Sequence, residues 1–184
     1  VTAGAHAQDA TKIRIGTEGA YPPFNNLTSD GKLEGFDIDI ARALCAEMKA
    51  ECEFVTQDWD GIIPALQANR FDAIIASMSI TDERKQQVDF TNKYYANTLN
   101  FVAEKGSSFS PENVGSATIG VQQGTISASF AEETYKDADV RAYPTQLEAW
   151  ADMEAGRVDA VLGDFGVQYE WINGDGADCC EFKG

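Results

Sequence analysis

Histidine is nearly missing from this chain: His6 is the single copy, and it stands in the N-terminal stretch, so no Ser/His/Asp or Cys/His catalytic set can be assembled from the remainder. Catalytic residues are therefore expected to be none. Basic residues are scarce too. Fourteen Lys and Arg against thirty Asp and Glu leave a net charge of -16, which repels phosphate backbones and anionic lipid surfaces and offers no basic stripe for counterion release. Nucleic acid is thereby excluded as a partner. Apolar runs are short, as at Ala73 to Ala76 and Ala160 to Leu162, far below the ~20 residues that cross a bilayer. Low-complexity tracts are also lacking, and the adjacent pair Cys179 and Cys180 fits no zinc spacing. Neither a metal nor a cofactor is expected.

What is present is a globular composition, 43% hydrophobic over 184 residues, enough to bury one sizeable core or two small ones. Ala5-His6-Ala7, followed by Gln8 and Asp9, has the A-x-A form behind which signal peptidase cleaves. Residues 1–10 are accordingly read as the remnant of a secretory leader with a flexible N-terminus. Cys45 and Cys52 lie seven apart, across the end of a predicted helix and the start of a strand, so they are either a short disulfide loop or two small buried hydrophobes. Cys179 and Cys180 have three options: a strained vicinal disulfide, partners elsewhere, or free thiols.

Hydrophobic periodicity alternates between two kinds. Strand patterns at Ile13 to Gly16, Glu51 to Thr56 and Ala73 to Ala76 are interleaved with helical spacing at Phe36 to Met48 (Phe36, Ile40, Ala43, Leu44, Met48) and at Ile62 to Ala68. The order predicts a parallel sheet flanked by helices. It begins again after a strand at Thr98 to Glu104: a strand at Thr118 to Val121, a turn at Gly124, a helix over about Ser127 to Tyr135, and a capping box at Thr145 to Glu148 opening a helix to Ala155. Leu66-Gln-Ala-Asn-Arg-Phe-Asp-Ala-Ile-Ile75 parallels Met153-Glu-Ala-Gly-Arg-Val-Asp-Ala-Val-Leu162. Polar residues follow both copies of Arg-x-Asp-Ala, Ser77 and Ser79 in one half and Asp164 in the other. Ligands of open α/β sheets collect at the carboxyl ends of strands, so these residues are expected to enclose a small molecule between two lobes, 11–97 and 98–184.

Gly19-Ala-Tyr-Pro-Pro-Phe24, Gly35-Phe-Asp-Ile-Asp-Ile-Ala-Arg-Ala-Leu-Cys45 and Ser77-Met-Ser-Ile-Thr-x-x-Arg84 resemble, in this order, the polar amino-acid-binding proteins of ABC importers, solute-binding protein family 3. The likeness is above all to the lysine/arginine/ornithine and histidine binders, and it runs from about Ile13 to Gly184. It implies an α/β, two-lobed periplasmic-binding-protein type II fold, each lobe a central β-sheet flanked by helices, and a Cys45–Cys52 disulfide. It also implies a free L-amino acid as ligand, a transient partnership with a membrane-embedded ABC permease, and a periplasmic location in a Gram-negative bacterium.

Carried over position by position, the resemblance assigns Arg84 to the ligand α-carboxylate, with Ser79, Thr125 and the backbone amides around them completing its shell; Ser127 is also counted among the ligand-binding residues. Asp164 takes the α-ammonium, helped by Ser77. Tyr21 and Trp59 sandwich the ligand side chain and Glu18 meets its distal positive charge, which points to arginine, lysine, ornithine or histidine. Three positions depart from the pattern: Ala76 stands for a serine, Gln122 for an apolar residue, and Ile126 for the threonine of the histidine binder. Gln122 joins the expected site because its amide would suit glutamine or another polar side chain. The family continues several dozen residues past the position of Gly184 to complete its first lobe. The chain is therefore expected to be incomplete at its C-terminus, a monomer or a dimer that completes itself by swapping. A cyclohexadienyl dehydratase on the same scaffold and a sensor module are the rival readings.

Overall fold

In a computed structural model, residues 11–184 are described; the leader-like stretch and His6 fall outside the described residues. The first strand, β1 (Lys12–Thr17), leads into a small antiparallel meander of β2 (Ala20–Tyr21), β3 (Asn25–Leu27) and β4 (Leu33–Glu34) that the sequence pattern did not announce. Helix α1 (Phe36–Met48) follows at Gly35, whose φ of 119° and contact with the Phe24 carbonyl leave no room for a Cβ. It closes at Lys49 in the left-handed conformation. Next come β5 (Glu51–Thr56), a 3-10 turn (Trp59–Gly61), α2 (Ile62–Gln67) and β6 (Ala73–Ile74). Strands β5 and β6 pair in parallel on either side of β1, as the alternation of elements predicts.

The buried face of α1 differs from the expected one. Asp37, Ile38, Ala41 and Cys45 point inward, while Phe36, Leu44 and Met48 stay exposed. Ile38 and Ala41 are buried, and Ala41 and Cys45 pack with Ile15; Phe36 instead joins Phe24, Tyr94 and Tyr95 in an aromatic cluster beside the helix start. Cys45 and Cys52 form a disulfide with Cα atoms 6.1 Å apart, tying the end of α1 to β5. Cys179 and Cys180 are bonded to each other.

A short helix α3 (Asp82–Lys85) and an irregular connector lead to the second sheet. Its elements are β7 (Leu99–Glu104), β8 (Thr118–Gln122), α4 (Ile126–Thr134), β9 (Asp139–Tyr143), α5 (Gln146–Glu154), β10 (Ala160–Asp164), α6 (Phe165–Asn173) and β11 (Cys180–Lys183). The strand order is β11-β7-β10-β8-β9, with β10, β8 and β9 parallel and β7 and β11 antiparallel to their neighbours. The sheet is thus mixed rather than wholly parallel. Its two faces carry separate cores, one around Trp150, Met153 and Trp171, the other around Phe101, Ile119 and Leu162.

The internal repeat has a structural cause. Asn69 (φ 58°) and Gly156 (φ 69°) are equivalent left-handed residues that close α2 and α5. The Asp of each Arg-x-Asp-Ala then accepts a backbone N–H in the first half of the neighbouring strand: Asp72 from Arg14 (2.8 Å) and Asp159 from Thr118 (2.7 Å). Each copy therefore sets a strand's register and delivers the next residues to the carboxyl end of its sheet.

Candidate functional site

Both sheets present their carboxyl ends to one cavity. It is lined by Glu18, just past β1, and Tyr21 in β2; by Trp59 in the turn after β5; by Ala76, Ser77 and Ser79 after β6; and by Arg84 in α3. From the second sheet come Gln122 at the end of β8, Thr125 and Ile126 at the start of α4, and Asp164 at the end of β10. Nine of the ten positions assigned from sequence thus surround one space. Ser127 does not: it is buried in the first turn of α4, and the helical rotation carries it away from the side on which Thr125 and Ile126 meet the cavity.

The charged groups of the lining are two carboxylates and one guanidinium. Glu18 is 9% exposed, and burial pushes its carboxyl up to about 7 against a hydrogen bond from Gln122; Asp58 and Asp60 add to the rise. Burial likewise raises Asp164, while hydrogen bonds from Asn97 and Tyr21 and the nearby Arg84 charge pull it back. Arg84 is fixed from both sides, donating Nη1 to the Ser79 carbonyl (2.8 Å) and Nη2 to the Gly124 carbonyl (3.0 Å). Its guanidinium lies 5.3 Å from the ring centroid of Trp59, a cation–π contact. Trp59 donates its indole N–H to the same Gly124 carbonyl at 3.2 Å.

Thr125 caps α4: its hydroxyl accepts the Ala128 N–H (3.3 Å) and donates to the Gln122 carbonyl (2.6 Å). The positive end of α4 therefore opens on the cavity near Arg84, where an anion is favoured. Gln122 is 1% exposed and donates both amide protons, to Glu18 Oε1 (2.6 Å) and to the Pro144 carbonyl (3.1 Å). Gln123 donates to Asp60 alongside. These last contacts, and those to the Gly124 carbonyl, carry no signal in the sequence, because they join residues 22 to 104 positions apart. Among the described residues, no cluster of His, Cys, Asp and Glu is arranged to hold a metal, and no helix is long and apolar enough to cross a membrane.

A cavity shared by two α/β sheets, with opposed charges in its lining, is the form of a ligand-binding protein's site. The comparisons agree: residues 13–152 match the model of the bacterial extracellular solute-binding proteins, family 3, and the chain belongs to that family. It is 48% identical over 156 residues to the L-arginine-binding protein of Pseudomonas aeruginosa, covering 83% of this chain and 60% of the relative. It is 40% identical over 166 residues to the lysine/arginine/ornithine-binding periplasmic protein of Escherichia coli, covering 88% of this chain and 64% of the relative. The chain thus spans less than two thirds of the length of both. Among solved structures, an ancestral arginine-binding protein bound to arginine superposes with a TM-score of 0.90 at 36% identity, over 96% of this chain and 80% of that one. An ancestral amino-acid-binding protein described as a precursor of cyclohexadienyl dehydratase gives 0.87 at 32% identity, over 94% and 77%.

Proposed function

We propose that residues 11–97 and 98–184 act as two lobes that close on a free L-amino acid with a cationic side chain, arginine, lysine, ornithine or histidine, in the periplasm. The carrying observation is the charge pattern of the lining: Glu18 and Asp164 against Arg84 leave the cavity one positive charge short of neutral. A zwitterion with a distal cation supplies the matching set. Its carboxylate meets Arg84 at the positive end of α4, its ammonium meets Asp164 and Ser77, and its side-chain cation reaches Glu18. Leaving any of these buried charges unpaired costs several kcal/mol, so a neutral amino acid is held less tightly.

Closure follows from contacts made to both lobes at once, since a ligand shifts the open–closed equilibrium by its differential affinity for the closed form. The closed form then offers a distinct surface to an ABC permease, and no bond in the ligand is broken. The names of the arginine-binding relatives support this reading. Thermal melts with each of the twenty amino acids test it: a cationic amino acid raises the midpoint by mass action on the native state. A flat panel would overturn it.

One observation favours a second reading, a dehydratase: the buried carboxyl of Glu18 titrates near neutrality, where a general acid works best. Turnover of prephenate or arogenate would select it.

A further inference from the structure

Asp37 is fully buried at the start of α1 and does not line the cavity. Its carboxylate takes three hydrogen bonds: Oδ1 from the Tyr94 hydroxyl at 2.7 Å, and Oδ2 from Asn25 Nδ2 at 2.9 Å and Ser77 Oγ at 3.0 Å. The orientation of the Asn25 amide is fixed independently, because its Oδ1 accepts the Gly19 N–H at 2.8 Å. Its NH2 therefore faces Asp37. Ser77, which does line the cavity, sits in the left-handed conformation with φ 52°, a costly backbone state for a residue with a side chain, held only where its surroundings over-determine it.

We propose that Asp37 is a positioning residue for ligand binding: it accepts the hydrogen bond of the Ser77 hydroxyl and so leaves the Ser77 oxygen facing the cavity as an acceptor for the ligand α-ammonium. A serine hydroxyl has one proton and two lone pairs. With the proton committed to Asp37, the lone pairs are what remain for the ligand, and an ammonium can only donate. The same carboxylate anchors Gly19 through Asn25, next to Glu18, so one buried charge sets both the ammonium end and the backbone beside the side-chain end. Tyr94 adds the connector between the two sheets to the same group. The assignment rests on the reading of the cavity as an amino-acid site, and it goes beyond it in naming a residue that never touches the ligand.

The experiment compares L-arginine with 5-guanidinopentanoate, which keeps the carboxylate and guanidinium and lacks the α-amino group. The affinity ratio of the two measures recognition of the ammonium. In Asp37→Ala no acceptor remains at this position for the Ser77 proton, which is free to turn toward the ligand. The ratio is expected to fall roughly tenfold to a hundredfold, the range of a charge-assisted hydrogen bond, with affinity for 5-guanidinopentanoate nearly kept. Equal loss for both ligands, or an unchanged ratio, overturns the proposal, because a general loosening of the lobe weakens both alike. Should Asp37→Ala not fold, Ser77→Ala carries the test, and there an unchanged ratio is equally fatal. If the wild-type chain binds no amino acid, the functional reading itself has failed; if it binds arginine and the variants keep the ratio, only the role of Asp37 has.

Discussion

Gln122 donates to Glu18 at 2.6 Å, joining the end of β8 to the end of β1 across 104 positions of sequence. Gln122 is a departure from the family pattern, and its place beside the acid that would meet a ligand cation makes it an orienting group for that acid. Both amide protons are engaged, which leaves the Gln122 amide oxygen as the atom through which it could meet a ligand.

Glu18 should trade stability for binding. Its pKa is raised from 4.5 to about 7 in the folded state, so folding favours the protonated form, and stability is lost as pH rises between those values. Glu18→Gln, neutral throughout, is expected to gain up to about 3 kcal/mol on the wild type by pH 8 and to bind cationic amino acids more weakly. Urea unfolding at pH 4.5 and pH 8 checks the first part: the gap between the two proteins should open with pH, and a constant gap would contradict it.

Asp72 should behave in the opposite sense. The Arg14 side chain and N–H hold its carboxyl down at about 2, so its contribution is present above the ordinary value of 3.8 and disappears as pH falls toward 2. Asp72→Asn is expected to flatten the acid limb of the melting profile between pH 4 and pH 2. An unchanged limb would mean that this exposed pair contributes nothing.

The Cys45–Cys52 bridge spans seven positions and ties α1 to β5. Loop-closure entropy for so short a ring is worth about 2 to 2.5 kcal/mol. Cys45→Ala with Cys52→Ala should lower unfolding free energy by about that amount and leave the arginine affinity within about twofold, since neither residue lines the cavity. Denaturant titration and calorimetry on the double variant read both numbers.

Trp59 covers the Arg84 guanidinium and donates to the Gly124 carbonyl. Trp59→Phe keeps a ring over Arg84 and loses the donor; Trp59→Leu loses both. The expected order of arginine affinity is wild type, then Phe, then Leu, with about 1 to 2 kcal/mol between the extremes. Equal affinities in all three proteins would remove Trp59 from the site.

Much of this arrangement is legible in the sequence because it is local. The alternation of strand and helix spacing, the Thr145 cap, whose hydroxyl accepts the Glu148 N–H, and the repeated Arg-x-Asp-Ala all act within a few residues of themselves. They place Ser77, Ser79 and Asp164 at strand ends before any contact is known. The wrong face of α1 shows the limit: Phe36, Leu44 and Met48 satisfy helical periodicity, yet the sheet accepts Ile38, Ala41 and Cys45. Asp37 was legible only as an acidic residue near a helix start, since its burial depends on Asn25, Ser77 and Tyr94, which arrive from three other segments. Strand β9 carries charged residues at alternate positions on the sheet edge, and so lacked the apolar run that marks β10.

The central claim is that three charges in one cavity match three charges on a basic amino acid. Titration calorimetry of L-arginine against L-citrulline, its neutral ureido counterpart of nearly the same shape, isolates the charge that Glu18 would meet. Arginine is expected to bind more tightly by about tenfold or more, with the advantage shrinking in Glu18→Gln. Equal affinity for the two ligands in the wild-type chain would contradict the account.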